Sequence, residues 1–385
     1  MNEHRLRRSR ALVLFVSAAA TTAVLASAPV AHAGERSPGS GRPATQAALE
    51  SVVDNGTPGV IARVDRGKRS WNGTAGVADR ERPGPRRPGE HFRIGSITKT
   101  FTAVTMLKLE AEGKLSLDDS VEEWLPGALD HDGYDGRSIT LRRLLNHTSG
   151  VYDILRDRGF ASRYTGSAFL EHRYDSWTPD ELVEIATSHP PEFAAGTQWS
   201  YSNTNYLLAG MVIEAATGKS YGEAVDRRLL GPHLRKTVVP GFSSAVPEPH
   251  AQAYSRLFVD APDAEVYDTT EFDPSMAGAA GEIISTTRDL NRFFGALLAG
   301  RILPADQQEE LLAGVDTGNG YRYGLGVRTY PLPCGTMWGH DGDILGSVTY
   351  AVSSRDGSHV VSLNENANWN DDEHAENVIT TEFCG

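Results

Sequence analysis

The hydrophobic pattern of this chain changes period twice, and that limits the folds open to it. Val60–Val64 and Ser70–Gly76 alternate as strands do, joined by a turn around Gly67. The two-residue period returns late, in Tyr323–Tyr330, Thr336–His340, Val348–Ser353 and Val360–Asn364. Between these ends, helices are expected over Leu117–Leu125, Ile139–Leu145, Asp180–Ser188 and Asn205–Thr217, the last stopped by Gly218. A further helix, capped by Thr286 or Thr287, runs to Leu298, and a closing one covers Glu373–Phe383. Strands need partners, so the two ends must meet. The reading is an α/β fold: an antiparallel sheet built from both chain ends, with a mostly helical region inserted. The α/β part takes residues 46–95 and 281–385, and the insertion takes 96–280.

The stretch Phe92–Leu115 joins the two parts. Gly95 permits a tight turn, and from Ser96 onward Ile97, Phe101, Val104 and Leu107 recur at helical spacing. Ala103, Met106 and Leu109 make the helix apolar on most sides, so it is expected to be buried. Ser96 then sits at the positive end of a buried helix, with Lys99 one turn along on the same face. A lysine kept from water has a lowered pKa and can act as a base towards a neighbouring hydroxyl. By itself a Ser-x-x-Lys match occurs about once by chance in a chain of this length. Burial separates this one from an ordinary wet-face lysine.

Other groups join Ser96 and Lys99 as candidates. Tyr201 and Asn203 stand in a loop ahead of the Asn205–Thr217 helix, a common place for catalytic groups. A lysine cation beside Tyr201 is expected to lower its phenol pKa and make it a usable base. Asn203 can hold both Lys99 and a substrate amide, because it donates and accepts; a turn asparagine beside a packed tyrosine is the plainer reading. His340-Asp341-Gly342 ends a strand, where Gly342 is expected to let a substrate backbone approach. The amides of Asp343 and Ser96 would then form an oxyanion hole. Arg328, on the strand before, is either an anchor for a substrate carboxylate or a surface arginine. His131-Asp132-Gly133 reads as a solvated turn, and His147 as a cap or core filler. Tyr152–Pro179 is irregular and aromatic, a helical insertion or a lid beside the site.

Residues 1–33 have a basic start, an apolar Ala-rich core and Ala31-His32-Ala33 as a peptidase site, the pattern of a signal peptide. Residues 34–45, rich in Gly, Ser and Pro, are expected to form a flexible leader. A secreted protein with no membrane span after cleavage is expected. The formal charge of −13 becomes more acidic once the four arginines of the leader are removed, which disfavours nucleic acid as a partner. The two cysteines, Cys334 and Cys384, are expected to pair in an exported protein, two buried thiols being the other reading. No zinc-ligand spacing is present. The acidic run Asn368–Asn377 reads as a solvated turn ahead of calcium binding.

Ser96-x-x-Lys99, Tyr201-x-Asn203 and His340-x-Gly342, in that order, resemble the three motifs of the serine penicillin-recognising enzymes. From Val60 to Gly385 the chain is similar to class C β-lactamases, and most similar to secreted serine D-alanyl-D-alanine carboxypeptidases/transpeptidases. "FRIGSITKTFTAV", "WSYSNTNYLLAGMVIEAATG", "YGLGV" and the terminal "FCG" carry the likeness. The resemblance implies a three-layer α/β/α sandwich with a helical second domain and the site between them. It implies Ser96, Lys99, Tyr201 and His340 as catalytic residues. It further implies Asn203, Arg328, Asp341, Gly342 and Asp343 as substrate-binding residues, and a Cys334–Cys384 disulfide. Cell-wall peptides as substrates, β-lactams as covalent inhibitors, no cofactor or metal, and a monomer are the corresponding expectations. One departure bears on specificity. Relatives carry threonines where this chain has Asp341 and Asp343, and those threonines, with the residue matching Arg328, are implied to hold a terminal carboxylate. A related esterase, β-lactamase or D-aminopeptidase preferring neutral or amine-bearing substrates is therefore the alternative. A non-catalytic binder of cell-wall peptides is the reading from outside enzymology.

Overall fold

The computed structural model describes residues 42–131, 133–261, 263–370 and 373–385. The expected signal peptide, most of the leader, Asp132 of the first His-x-Gly, and Asp371 and Asp372 of the acidic run lie outside the described residues. The leader's last residues correct the expectation. Helix α1 begins at Pro43 and runs to Asp54, burying Thr45, Ala48, Leu49 and Val52. Proline at the first helical position loses no bond there, so it opens the helix.

Eight strands form one antiparallel sheet. They are β1 (Gly59–Arg66), β2 (Arg69–Gly76), β3 (Val315–Asp316), β4 (Arg322–Tyr323), β5 (Arg328–Leu332), β6 (Gly335–Ile344), β7 (Ser347–Ser353) and β8 (His359–Glu365). The order across the sheet is β2-β1-β8-β7-β6-β5-β4-β3. β1 pairs with β8 in the register Val60↔Glu365 to Arg66↔His359, so the first and last strands lie side by side within the sheet. The expected strand Tyr323–Tyr330 is two strands, because Gly324 to Val327 turns the chain between β4 and β5.

Alternate residues of the central strands feed two cores, because helices cover both faces. Val60, Ala62, Tyr350, Val352 and Leu363 pack with Leu49 and Val52 of α1 and with Val378 and Ile379 of a C-terminal helix, Glu373–Cys384. Ile61, Ala351 and Val360 point the other way, towards Phe293, Phe294 and Leu297 of the helix Thr287–Leu298. Thr286 caps that helix by accepting from the Asp289 amide. Three layers result, and the Cys334–Cys384 bond clips the β5–β6 turn to the chain's end.

Two long helices position the site. Helix α2 spans Thr98–Ala111 and α3 spans Thr204–Thr217, ended by left-handed Gly218. Both are buried on nearly every side, as their all-round apolar composition requires. α2 follows a 3₁₀ turn, Gly95–Ile97, that lies against β6. The irregular stretch after Tyr152 is a helical insertion of short turns, Ile154–Arg156, Arg158–Arg163 and Ala168–His172. Among the described residues no helix is long and apolar enough to cross a membrane. We number the Thr287–Leu298 helix α4 and the Glu373–Cys384 helix α5 below.

Candidate active site

Ser96 enters the site because the chain must turn sharply between a short strand, Phe92–Arg93, and α2. Gly95 makes that turn at φ +50°, and a Cβ there would lie 3.0 Å from the backbone of Asp343. Gly342 faces the same contact from β6. Its Cβ would fall 2.1 Å from Ile94 O and 2.7 Å from Ser96 N. Gly342 is thus needed for the close approach of the backbone of residues 94–96. The contact lays the Asp343 amide against the turn that carries Ser96.

Lys99 is fully buried and its amine has three polar partners. Its Nζ lies 3.0 Å from Ser96 Oγ, 2.8 Å from Asn203 Oδ1 and 2.9 Å from Ala280 O. Burial pushes its pKa down to about 7, against the opposing pull of Asp153 and Asp341. Asn203 in turn is fixed from behind. Asp153 Oδ1 accepts from the Asn203 backbone N at 3.0 Å and from Nδ2 at 3.1 Å. A carboxylate accepts only, so Nδ2 must face Asp153 and Oδ1 must face Lys99. Asp153 was not among the sequence candidates. The one signal for it was an aspartate before a short helical turn, where its side chain caps Leu155 N.

Tyr201 departs from expectation. Its hydroxyl is hydrogen-bonded to Ser96, and Lys99 Nζ stands 4.8 Å from its ring centre. Yet burial raises the phenol well above its ordinary value, and the Ser96 bond only partly offsets that. The neighbouring amine does not lower the pKa, because it sits over the ring and is itself poorly charged. Tyr201 is therefore a held O–H donor and not a ready phenolate.

His147 fills a core slot, as the sequence suggested. Its ring centre is 4.3 Å from that of Tyr201. Its Nδ1 accepts from Ser202 N at 3.2 Å, and burial keeps the ring neutral. His340 is buried too, with both nitrogens occupied within the protein. Nδ1 is 2.5 Å from Asp341 O and Nε2 is 2.9 Å from Tyr323 OH. A carbonyl accepts, so Nδ1 carries the proton and Nε2 accepts from the tyrosine. Burial holds its pKa down at about 4, so the ring is neutral at physiological pH.

Arg328 has a carboxylate partner within the protein. Its Nε lies 2.9 Å from Asp341 Oδ1, and its charge is committed to that carboxylate. Tyr330 OH donates to the same oxygen at 2.8 Å. Burial opposes ionisation of Asp341, but Arg328, His340 and this hydroxyl outweigh it and hold the acid below its usual value. As an anchor for a substrate carboxylate, Arg328 is already neutralised. Asp343 accepts from Asn368 Nδ2 at 3.0 Å.

These groups line one cavity of about 630 Å³. Ser96, Tyr201, Asn203 and Arg328 meet Asp153, Asp341 and Asp343 there. Phe160, Tyr164, Leu207, Met276 and Phe258 form an apolar wall. β5 covers β6 only from Gly335 to Gly339, so on that side residues 340–344 present an edge to the cavity without a strand partner among the described residues. Such an edge can hydrogen-bond an extended substrate backbone. Among the described residues there is no group of three or more His, Cys, Asp or Glu that could hold a metal ion.

Comparison with known proteins agrees with this arrangement. The Beta-lactamase family profile matches residues 44–381. A crystal structure of a D-stereospecific amidohydrolase from Streptomyces sp. shares 48% identity and a TM-score of 0.83, covering 89% of this chain and 98% of that one. Esterase EstB of Burkholderia gladioli is 36% identical over 220 residues, 54% of each chain. Penicillin-binding protein 4* of Bacillus subtilis is 27% identical over 284 residues, 70% of this chain and 58% of that protein. This chain thus spans little more than half the length of those two curated relatives. A serine at the start of a buried helix, a lysine beside it, the sheet topology and the match across nearly the whole chain agree: this protein belongs to the β-lactamase family.

Proposed function

We propose that this protein is an exported D-stereospecific amidohydrolase that cleaves amides, esters or short peptides of D-amino acids bearing a free amine. The observation that carries the reading is the Arg328–Asp341 pair, at 2.9 Å, in a cavity that also holds Asp153 and Asp343. Three carboxylates face one arginine and one weakly charged lysine. Such a field favours an ammonium-bearing substrate and disfavours one ending in a carboxylate. The apolar wall of Phe160, Tyr164 and Leu207 suits a large hydrophobic side chain. The Streptomyces amidohydrolase, at 48% identity, supports the same class.

The mechanism follows from the proton positions. Neutral Lys99 donates its two N–H groups to Asn203 and Ala280, which leaves its lone pair for the Ser96 O–H. Lys99 takes the serine proton as Ser96 Oγ bonds to the substrate carbonyl carbon. Negative charge on the carbonyl oxygen is held by the backbone amides of Ser96 and Asp343. The C–N bond then breaks, Tyr201 gives its proton to the leaving nitrogen, and the Lys99 ammonium restores the tyrosine. Water resolves the ester by the same groups in reverse, returning the proton to Ser96. His340 acts as a positioning residue, since both its nitrogens are engaged.

The test compares kcat/KM for D-phenylalanine amide, L-phenylalanine amide and an acyl-D-Ala-D-Ala peptide. D over L by at least a hundredfold, with the acyl peptide slowest, is expected; an acyl peptide turned over faster than the D-amide would overturn the reading. The second reading is a D-alanyl-D-alanine carboxypeptidase. It is favoured by Arg328, which lines the cavity at the position implied for carboxylate recognition, and the acyl peptide in the same experiment decides it. Export is tested by sequencing the N-terminus of protein recovered from culture medium; an intact Met1 would oppose it.

A further inference from the structure

The geometry points to a second groove, beyond Arg328, that receives a peptide on the leaving side of the scissile bond. It rests on the reading of Ser96 as nucleophile and Tyr201 as donor to the leaving nitrogen. The groove has a volume of about 350 Å³ and lies between β5 and α5, walled by Pro331, Leu332, Ile379 and Thr380. It shares Tyr321 and Arg328 with the catalytic cavity, so the two spaces meet at those side chains.

Tyr201, Tyr321 and Arg328 all line the catalytic cavity, and the last two also line the groove. A leaving nitrogen protonated by Tyr201 therefore reaches the groove past Tyr321 and Arg328. The acyl side chain has the opposite wall of Phe160, Tyr164 and Leu207.

Arg328 stands where the two spaces join. Its Cζ lies 4.9 Å from the ring centre of Tyr321 and 4.4 Å from that of Tyr330. Asp341 lies against it on the catalytic side at 2.9 Å, and Glu376 on the groove side at 3.9 Å. Between two carboxylates it offers no net charge to a chain terminus. A guanidinium nonetheless has five N–H donors, more than one carboxylate on each side satisfies, and these fit a neutral peptide carbonyl. The group that passes Arg328 is therefore an internal or amidated peptide segment. The walls beyond, Pro331, Leu332 and Ile379, suit an apolar residue two or three places past the scissile bond. The Cys334–Cys384 bond ties the two walls together, which keeps the groove open without ligand.

The reaction is unchanged in kind: one peptide C–N bond breaks, water supplies OH to the acyl carbon and H to the leaving nitrogen. Within the proposed class, the preferred substrate is thereby specified as a D-aminoacyl peptide with a neutral apolar leaving segment. The test measures kcat/KM for D-Phe amide, D-Phe-Ala amide, D-Phe-Ala-Leu amide and D-Phe-Ala-Leu-Leu amide. We expect at least a tenfold rise over the series. Thr380→Trp, which fills the groove from α5, should abolish the rise and leave D-Phe amide unchanged. Pro331→Trp, at an exposed wall position, serves if the first variant does not fold. A flat series in the wild type, or an equal loss on every substrate in the variant, overturns the proposal. A second arm uses Ala-Leu-Leu amide as a competitive inhibitor of nitrophenyl ester turnover. Inhibition at least tenfold weaker in Thr380→Trp supports the groove, and equal or absent inhibition in both proteins rejects it. That arm decides even if the D-Phe series is not hydrolysed, an outcome that removes the amidase reading alone.

Discussion

Lys99 Nζ lies 2.8 Å from Asn203 Oδ1, and the asparagine cannot turn its other end, because Asp153 holds it. That relation determines where the lysine lone pair points. With Asn203 and Ala280 both accepting, the remaining direction is Ser96 Oγ at 3.0 Å. The amine is thus aimed at Ser96 by a carboxylate to which it makes no hydrogen bond.

Lys99 should therefore set the acid limb of the pH profile. Its pKa is pushed to about 7 by burial, so the neutral form grows as pH rises through that value. We expect kcat/KM for an amide to increase across pH 6–8 with a midpoint near 7. Lys99→Arg keeps a cation in place and should remove activity by about 10³-fold or more, the usual scale for a general base. A profile without this limb would assign the base elsewhere.

Tyr201→Phe separates the two halves of the proton path. The ring, and with it the packing on His147, is retained, while the O–H donor is lost. Amides need a proton on the departing nitrogen; a nitrophenolate leaves without one. The variant should lose about 10²- to 10⁴-fold on amides and far less on a nitrophenyl ester. Equal losses on both would mean that the phenol acts before bond breaking.

The parts of this site that the sequence made legible are those fixed by local spacing. Ser96 and Lys99 face each other because three residues make most of a helical turn, which any reader of the chain can count. Tyr201 and Asn203 were legible as a loop ahead of a helix. The strands at both ends were legible from their alternation. Asp153 was not, because it lies in an irregular stretch and meets Asn203 only through tertiary packing. The Arg328–Asp341 pair was hidden in strand register: Arg328 pairs with Gly339, and only that pairing brings a residue two places on within reach. The raised phenol of Tyr201 needed the burial around it. Helix α1 was missed because its start at Pro43 follows a Gly-, Ser- and Pro-rich run whose composition dominated the reading.

Asp153→Asn should act on catalysis through two others. An amide at 153 can present a donor to Asn203, which sets Nδ2 against Lys99 or costs one hydrogen bond, about 1–3 kcal/mol when buried. It also removes a negative charge that raises the Lys99 pKa. The pH–rate midpoint should therefore move below that of the wild type while kcat falls at least tenfold. A purely structural role would lower stability and leave the midpoint in place, which a pH profile beside a thermal melt distinguishes.

The Cys334–Cys384 bond closes a loop with a sequence separation of 50. In the chain-entropy account a loop of that size is worth about 4 kcal/mol. Cys334→Ala with Cys384→Ala should lower unfolding free energy by about that amount in a denaturant titration, and reductant should do the same to the wild type. Ser96 is remote from the bond along the chain and is held by α2 and β6, so activity on D-phenylalanine amide should persist below the new midpoint.

Asp341→Thr tests what the acidic pair does for specificity. In the wild type Asp341 neutralises Arg328 and receives the Tyr330 hydroxyl. Threonine keeps a hydroxyl on the strand but carries no charge, so Arg328 regains a free cationic face towards the cavity. A bidentate arginine–carboxylate contact then becomes available to a substrate ending in a carboxylate. We expect kcat/KM for acyl-D-Ala-D-Ala to rise at least tenfold and the preference for D-amino-acid amides to shrink, with Ser96 acylation by a penicillin, followed by mass spectrometry, accelerating in parallel. The Lys99 pKa should fall as well, since Asp341 is one of the two carboxylates that raise it, and the acid limb should shift below the wild-type midpoint. If specificity is unchanged while that limb moves, the aspartate tunes the base and does not select the substrate.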